Sequence, residues 1–174
     1  MRFIGVDPSI TGTGLCTWDG TTSTVKTNAK QKDNRLRVIR NRVATIAYAP
    51  VLQRIPVDLA VVELPPPGLK GPAIPAMHMV QAIVRVALMD AGVPYALVNP
   101  GTLKAYAGWG RNDKDAMSRS AYEMAGVQFE DDNQCDAWWL RQMALDHYGL
   151  MDLGSVRVSA AQRAYLDKVE WPDL

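Results

Sequence analysis

Three acidic residues stand where a chain seldom leaves a charge. Asp7 ends the apolar run Phe3-Ile4-Gly5-Val6, and Glu63 ends Leu59-Ala60-Val61-Val62. Asp136 stands in Asp131-Asp132-Asn133-Gln134-Cys135-Asp136-Ala137-Trp138, where a polar turn becomes an apolar helix. A carboxylate held against a core is costly unless a cation neutralises it. Two bare carboxylates 4 Å apart repel by roughly 4 kcal/mol at an effective dielectric near 20. One acid at a strand end is ordinarily a turn former or a helix cap. The joint placement of three suggests a bound divalent metal and metal-assisted chemistry. The two cysteines, Cys16 and Cys135, form no C-x-x-C zinc pattern. The implied metal is therefore a hard one with oxygen ligands, magnesium or manganese.

The elements that must position these acids follow from periodicity. Residues 2–7 read as a buried strand, 12–18 as a second and 22–28 as a third, with Asp19-Gly20 as the hairpin turn between the last two. These three form an antiparallel meander. A helix is expected over 34–48, with Leu36, Ile39, Val43, Ile46 and Ala47 as its stripe. Residues 58–64 form a fourth strand, and the proline-rich stretch 65–72 is a loop. Residues 74–90 form a second helix, with Met77, Val80, Val84, Ala87 and Leu88 on one face, and Tyr95–Val98 a fifth strand. A short helix stopping near Gly108 comes next, then one over 113–125 capped by Asn112 and ended by Gly126. A helix over 133–148, capped by Asp131 or Asp132, follows. Ser159-Ala-Ala-Gln162 is a capping-box pattern, so 160–169 is expected to be partly helical. Functional groups gather at the carboxyl ends of parallel strands. Strands 1 and 4, joined by a helical crossover, are parallel neighbours about 4.8 Å apart. Asp7 and Glu63 can then share metal ions, with Asp136 joining from the side of a late helix.

At 174 residues and 48% hydrophobic content the chain suits one domain with a real core, residues 1–150, and a C-terminal tail, 151–174. No apolar run is long enough for a bilayer and no signal-peptide layout opens the chain, so a cytoplasmic protein with reduced thiols is expected. The net charge of +1 says little about partners, but its distribution is uneven. Residues 20–57 carry eight Lys/Arg against the single acid Asp33, and 128–174 carry four basic groups against nine acids. One face is suited to phosphate, with Arg35 and Arg42 on its basic helix. Trp109, flanked by glycines beside Arg111, is a candidate DNA contact. Of the pair Trp138-Trp139, one is expected in the core and the other at an interface.

These motifs together resemble the RuvC-type Holliday junction resolvases of the RNase H-like nuclease superfamily. FIGVDPSITGTGL is similar to the family's first-strand motif, VVELPPP to its strand-4 motif and DDNQCDAWWL to its closing motif. They place the catalytic acids at Asp7, Glu63 and Asp136. NPGTLKAYAGWGRNDKDAM is similar to the segment bearing the family's basic active-site residues, with Lys104 and Lys114 as the matching lysines. The likeness spans about residues 2–148. It departs from the pattern at Asn133, where the family has an acid or histidine, with Asp132 one position earlier. It departs again at Pro65-Pro66-Pro67, where some relatives carry an aromatic wedge.

The resemblance implies an α/β RNase H-like fold: a mixed five-stranded sheet flanked by helices. It implies a homodimer of bacterial or phage origin that binds four-way DNA and makes paired nicks. Two Mg²⁺ ions, or Mn²⁺, would be held by Asp7, Glu63 and Asp136, assisted by Asn133 or Asp132. Lys114 and Lys104 would offset charge on the scissile phosphate. Arg111, Lys70 and the basic helix would position backbone phosphates. Competing readings are a related nuclease acting on flaps, forks or RNA–DNA hybrids, and a non-catalytic binder of branched DNA. An actin-type or sugar-kinase ATPase needs a second domain for which this chain is too short.

Overall fold

The computed structural model describes residues 1–48, 57–68, 70–108, 114–151 and 158–174, with the side chain of Lys114 outside the description. Five strands form one sheet in the order β3-β2-β1-β4-β5. They are β1 Phe3–Asp7, β2 Gly12–Cys16, β3 Thr22–Lys26, β4 Leu59–Glu63 and β5 Tyr95–Val98. β1 pairs antiparallel with β2, and β2 with β3; β1 pairs parallel with β4, and β4 with β5. The helices are α1 Asn34–Ala47, α2 Ile74–Asp90, α3 Pro100–Gly108, α4 Lys114–Ala125, α5 Asp132–His147 and α6 Ala160–Arg163. The expected cap at Asn112 lies outside the described residues.

Strand alternation divides the sheet into two faces. Ile4, Val6, Leu15, Ala60 and Val62 point to one side, where Ile39 and Val43 of α1 and Val80, Val84 and Leu88 of α2 cover them. Phe3, Cys16, Leu59, Val61 and Val98 point to the other, under α5 and α3. By the same parity Asp7 and Glu63 belong to the α5 face. Both cysteines are buried free thiols, and burial pushes each up to about 12.

β2 and β3 each stop two residues earlier than expected. β2 ends at Cys16 because Thr17 starts the turn: its hydroxyl donates to Asp19 Oδ1 at 2.5 Å and Gly20 N–H donates to its carbonyl at 3.0 Å. β3 ends at Lys26 because Asn28 caps a short 3₁₀ turn, accepting from Lys30 N–H at 3.0 Å. Asp131 caps α5, accepting from Gln134 N–H at 3.1 Å, and its carboxylate also accepts from the Thr24 hydroxyl at 2.7 Å. The cap thus ties the start of α5 to β3.

The tryptophan pair corrects an expectation. Trp138 and Trp139 are both buried, edge to face with centroids 4.9 Å apart. Neither is left for an interface, because α5 lies between the sheet on one side and α3, α4 and the tail on the others. Trp139 Nε1–H donates to the Met117 carbonyl at 3.1 Å, and Trp138 packs on Phe129. The tail contributes Val158, Leu166 and Val169 to the same core, and Ser159 and Gln162 form the expected capping box.

Candidate metal centre

The sheet register sets the first two acids side by side. Gly5 pairs with Val61 and Val6 with Val62, so the next residues, Asp7 and Glu63, end adjacent parallel strands. Asp136, in the second turn of α5, is brought to them across the sheet face. Each carboxylate offers an oxygen, and these atoms all lie within 4.8 Å of one another. Asp7 is buried; Glu63 and Asp136 are half-buried.

Two glycines make this convergence possible. An ideal β-carbon at Gly5 would sit 1.9 Å from the Ala137 carbonyl oxygen, and one at Gly14 2.0 Å from the Asn133 carbonyl oxygen. Any side chain there would strike the backbone of α5. Gly14 is also the register partner of Asp7. Sequence reasoning missed both as functional residues, placing Gly5 in the first strand and Gly14 in the second. The available signal was a glycine inside a strand, which marks close approach of another backbone.

The electrostatics of the trio are those of crowded, partly desolvated carboxylates. Burial raises the Asp7 carboxyl above its usual range; a hydrogen bond with Glu63 opposes that rise and the charge of Asp131 adds to it. Glu63 is pushed up to about 10, first by burial, then by the charge and hydrogen bond of Asp7 and the charge of Asp136, with Lys104 opposing. Without a cation the Asp7–Glu63 pair therefore keeps a proton at neutral pH. The donor set, three carboxylates and no sulfur or imidazole, fits magnesium or manganese.

The other expected site residues divide by position. Lys104 stands on α3, which leaves β5 beside Glu63 (paired with Val98), and its charge acts on Glu63. Asn133, half-buried, has its side-chain nitrogen 3.2 Å from the β-carbon position of Gly12 and bonds to Asp131. Asp132 is exposed and outside the acid cluster. Arg35 lies in the first turn of α1, which starts at the same sheet end as Asp7. Arg42 lies about 10 Å further along that helix, away from the acids, and Lys70 is exposed beyond β4. Lys114 opens α4, while Trp109 and Arg111 lie outside the described residues. His78 is exposed and, with Leu64, Pro65 and Met77, lines a cavity of about 310 Å³ just past Glu63.

A mixed sheet with acids at the ends of two parallel strands, and a third acid from a helix crossing its face, is an arrangement of the RNase H-like fold. The comparisons with solved structures bear on the fold. No family model matches the chain, and no curated protein matches it. Among solved structures it is similar to RuvC of Thermus thermophilus, at 21% identity and a TM-score of 0.67, over 86% of this chain and 98% of that one. It is also similar to T. thermophilus RuvC in complex with a Holliday junction substrate, at 21% identity, TM-score 0.66 and the same coverage. The yeast mitochondrial Holliday junction resolvase Ydc2 is matched at 14% identity and TM-score 0.45, over 96% of this chain and 83% of that one. The chain has the RNase H-like fold of RuvC. No described helix is long and apolar enough to cross a membrane.

Proposed function

We propose that this protein is a divalent-metal-dependent endonuclease that resolves four-way DNA junctions by paired nicks, leaving 5′-phosphate and 3′-hydroxyl ends. The observation that carries the reading is the meeting of Asp7, Glu63 and Asp136 oxygens within 4.8 Å, from three distant parts of the chain. Asp7, Glu63 and Asp136 hold two Mg²⁺ ions, for which Mn²⁺ substitutes. Asn133, half-buried, or Asp132, exposed, adds a further oxygen. Bound there, the ions supply an activated water and stabilise the departing 3′ oxygen. Lys104 offsets phosphate charge beside Glu63, with Lys114 as its partner lysine. Arg35, Lys70, Arg111 and Trp109 hold the DNA through its backbone and bases, and Arg42 extends that contact along α1.

A second copy completes the enzyme. Met79, Val86 and Met89 are 45%, 43% and 58% exposed on one side of α2, at spacings of seven and three residues. An exposed apolar stripe on a helix suits a two-fold contact, and two related active sites suit two related cuts.

The test incubates the purified protein with mobile and fixed four-way junctions, flaps, forks and RNA–DNA hybrids, in Mg²⁺ or Mn²⁺. Symmetric nicks in the junctions, lost in Asp7→Asn with junction binding retained, are expected. Preferential cutting of flaps or hybrids assigns another substrate. Binding without cutting in either metal overturns the nuclease reading.

A further inference from the structure

α3 is gripped on the side away from the acids. Lys104 lies one turn into this helix and its charge acts on Glu63, and Leu64 N–H donates to the Val98 carbonyl at 2.8 Å just before α3 begins. Tyr106, two residues on, points about 200° round the helix from Lys104. It is fully buried, and its hydroxyl donates to Asp146 Oδ2 at 3.0 Å. The Asp146 side chain is 2% exposed and is held by both arms of Arg163, Nη2 at 2.7 Å from Oδ1 and Nε at 3.2 Å from Oδ2. The neighbouring tail residue takes the other end of the tyrosine: Gln162 Nε2 donates to the Tyr106 carbonyl at 2.8 Å. That amide is itself fixed, because Gln162 Oε1 accepts from Ser159 N–H at 3.0 Å.

Two adjacent tail residues therefore fix both the backbone and the hydroxyl of one buried residue of α3. A forked Arg–carboxylate pair is geometrically specific, and here the carboxylate is buried while the Arg163 side chain is 58% exposed. A lysine on its flexible stem delivers a defined charge only when the helix beneath it is fixed. Resting on the nuclease reading above, we propose that Gln162 and Arg163 are positioning residues for Lys104. The tail clamps α3 so that its opposite face presents the lysine to the metal centre. The last residues of the tail dock beside the clamp, on His147 and Leu166 rather than on Tyr106 or Asp146, and serve as a control for general tail stability. Trp171 stacks on His147 at 4.6 Å and its Nε1–H donates to the Leu166 carbonyl at 2.9 Å.

The experiment is single-turnover junction nicking in Mg²⁺, with binding measured separately in Ca²⁺, for Gln162→Leu, Arg163→Ala and Trp171→Ala. Each is made in the wild-type and Lys104→Ala backgrounds. Gln162→Leu and Arg163→Ala are expected to slow nicking by about tenfold or more, as for a small displacement of a reacting group, with affinity little changed. In the Lys104→Ala background neither should slow it further, because the displaced group is already absent. Trp171→Ala should lower the melting temperature with the rate retained. Losses that add to that of Lys104→Ala, or equal slowing by Trp171→Ala, overturn the proposal and leave the nuclease reading standing. A wild-type protein that nicks no branched DNA overturns both.

Discussion

Replacing Gly5 with alanine should dismantle the acid cluster without touching any of its members. The added β-carbon would stand 1.9 Å from the Ala137 carbonyl oxygen and 2.9 Å from its carbonyl carbon. Both are backbone atoms, so no side chain can rotate aside. Bringing that oxygen out to an ordinary 3.4 Å contact requires α5 to retreat by about 1.5 Å. Overpacking a core costs about 1–3 kcal/mol, and a rigid backbone contact belongs at the upper end. For a chain of this length about 3 kcal/mol lowers Tm by about 6–12 °C. Asp136 precedes Ala137 and moves with it, away from Asp7 and Glu63. A misplacement of about 1 Å can slow a reaction about a hundredfold. Scanning fluorimetry reads the first effect, Mn²⁺ calorimetry the loss of the site, and single-turnover nicking the third. Gly101→Ala is the stability control, since a β-carbon there meets nothing within 4 Å. A Gly5→Ala protein with wild-type Tm and unchanged metal affinity refutes the claim that this glycine exists to admit α5.

The remaining expectations concern charge and assembly. Glu63 titrates near 10 in the metal-free fold against an ordinary glutamate near 4.3, so the folded state binds the extra proton between those values. Its stabilising contribution is complete below the lower value and is lost as pH rises toward 10. Urea unfolding in EDTA at pH 5, 7 and 9 should show this decline, and an equal decline in Glu63→Gln would assign it to other groups. Mg²⁺ must displace that proton, so it should raise Tm more at pH 8 than at pH 6. The same rise in Asp7→Asn would place the ion elsewhere. Val86→Glu should convert a dimer to a monomer in light scattering, and a wild-type protein that is monomeric at micromolar concentration removes α2 as the contact.

Much of the architecture was legible because patterns in the chain are local. Alternation and helical spacing located β1 to β5 and α1 to α5 to within two residues, and the Ser159–Gln162 box located α6. The meeting of the three acids was legible as well, since strands 1 and 4 had to be parallel neighbours and their last residues both carry carboxylates. What stayed hidden was non-local. Gly5 looked like any small residue in a strand, because the helix that needs its space lies more than 120 positions later. Both tryptophans being buried was equally invisible, as it depends on α5 being covered on several sides at once. The tail's bonds to Tyr106 and Asp146 join residues 17 to 56 positions apart, and no local rule reports them.

The order in which the acids occur along the polypeptide bears on synthesis. A ribosome delivers Asp7 first, Glu63 next and Asp136 only when three quarters of the chain has been made. Until α5 lands on Gly5 and Gly14, the carboxylates of Asp7 and Glu63 lack the third member of their ring. A nascent or truncated polypeptide that ends before α5 lacks the third carboxylate of the cluster.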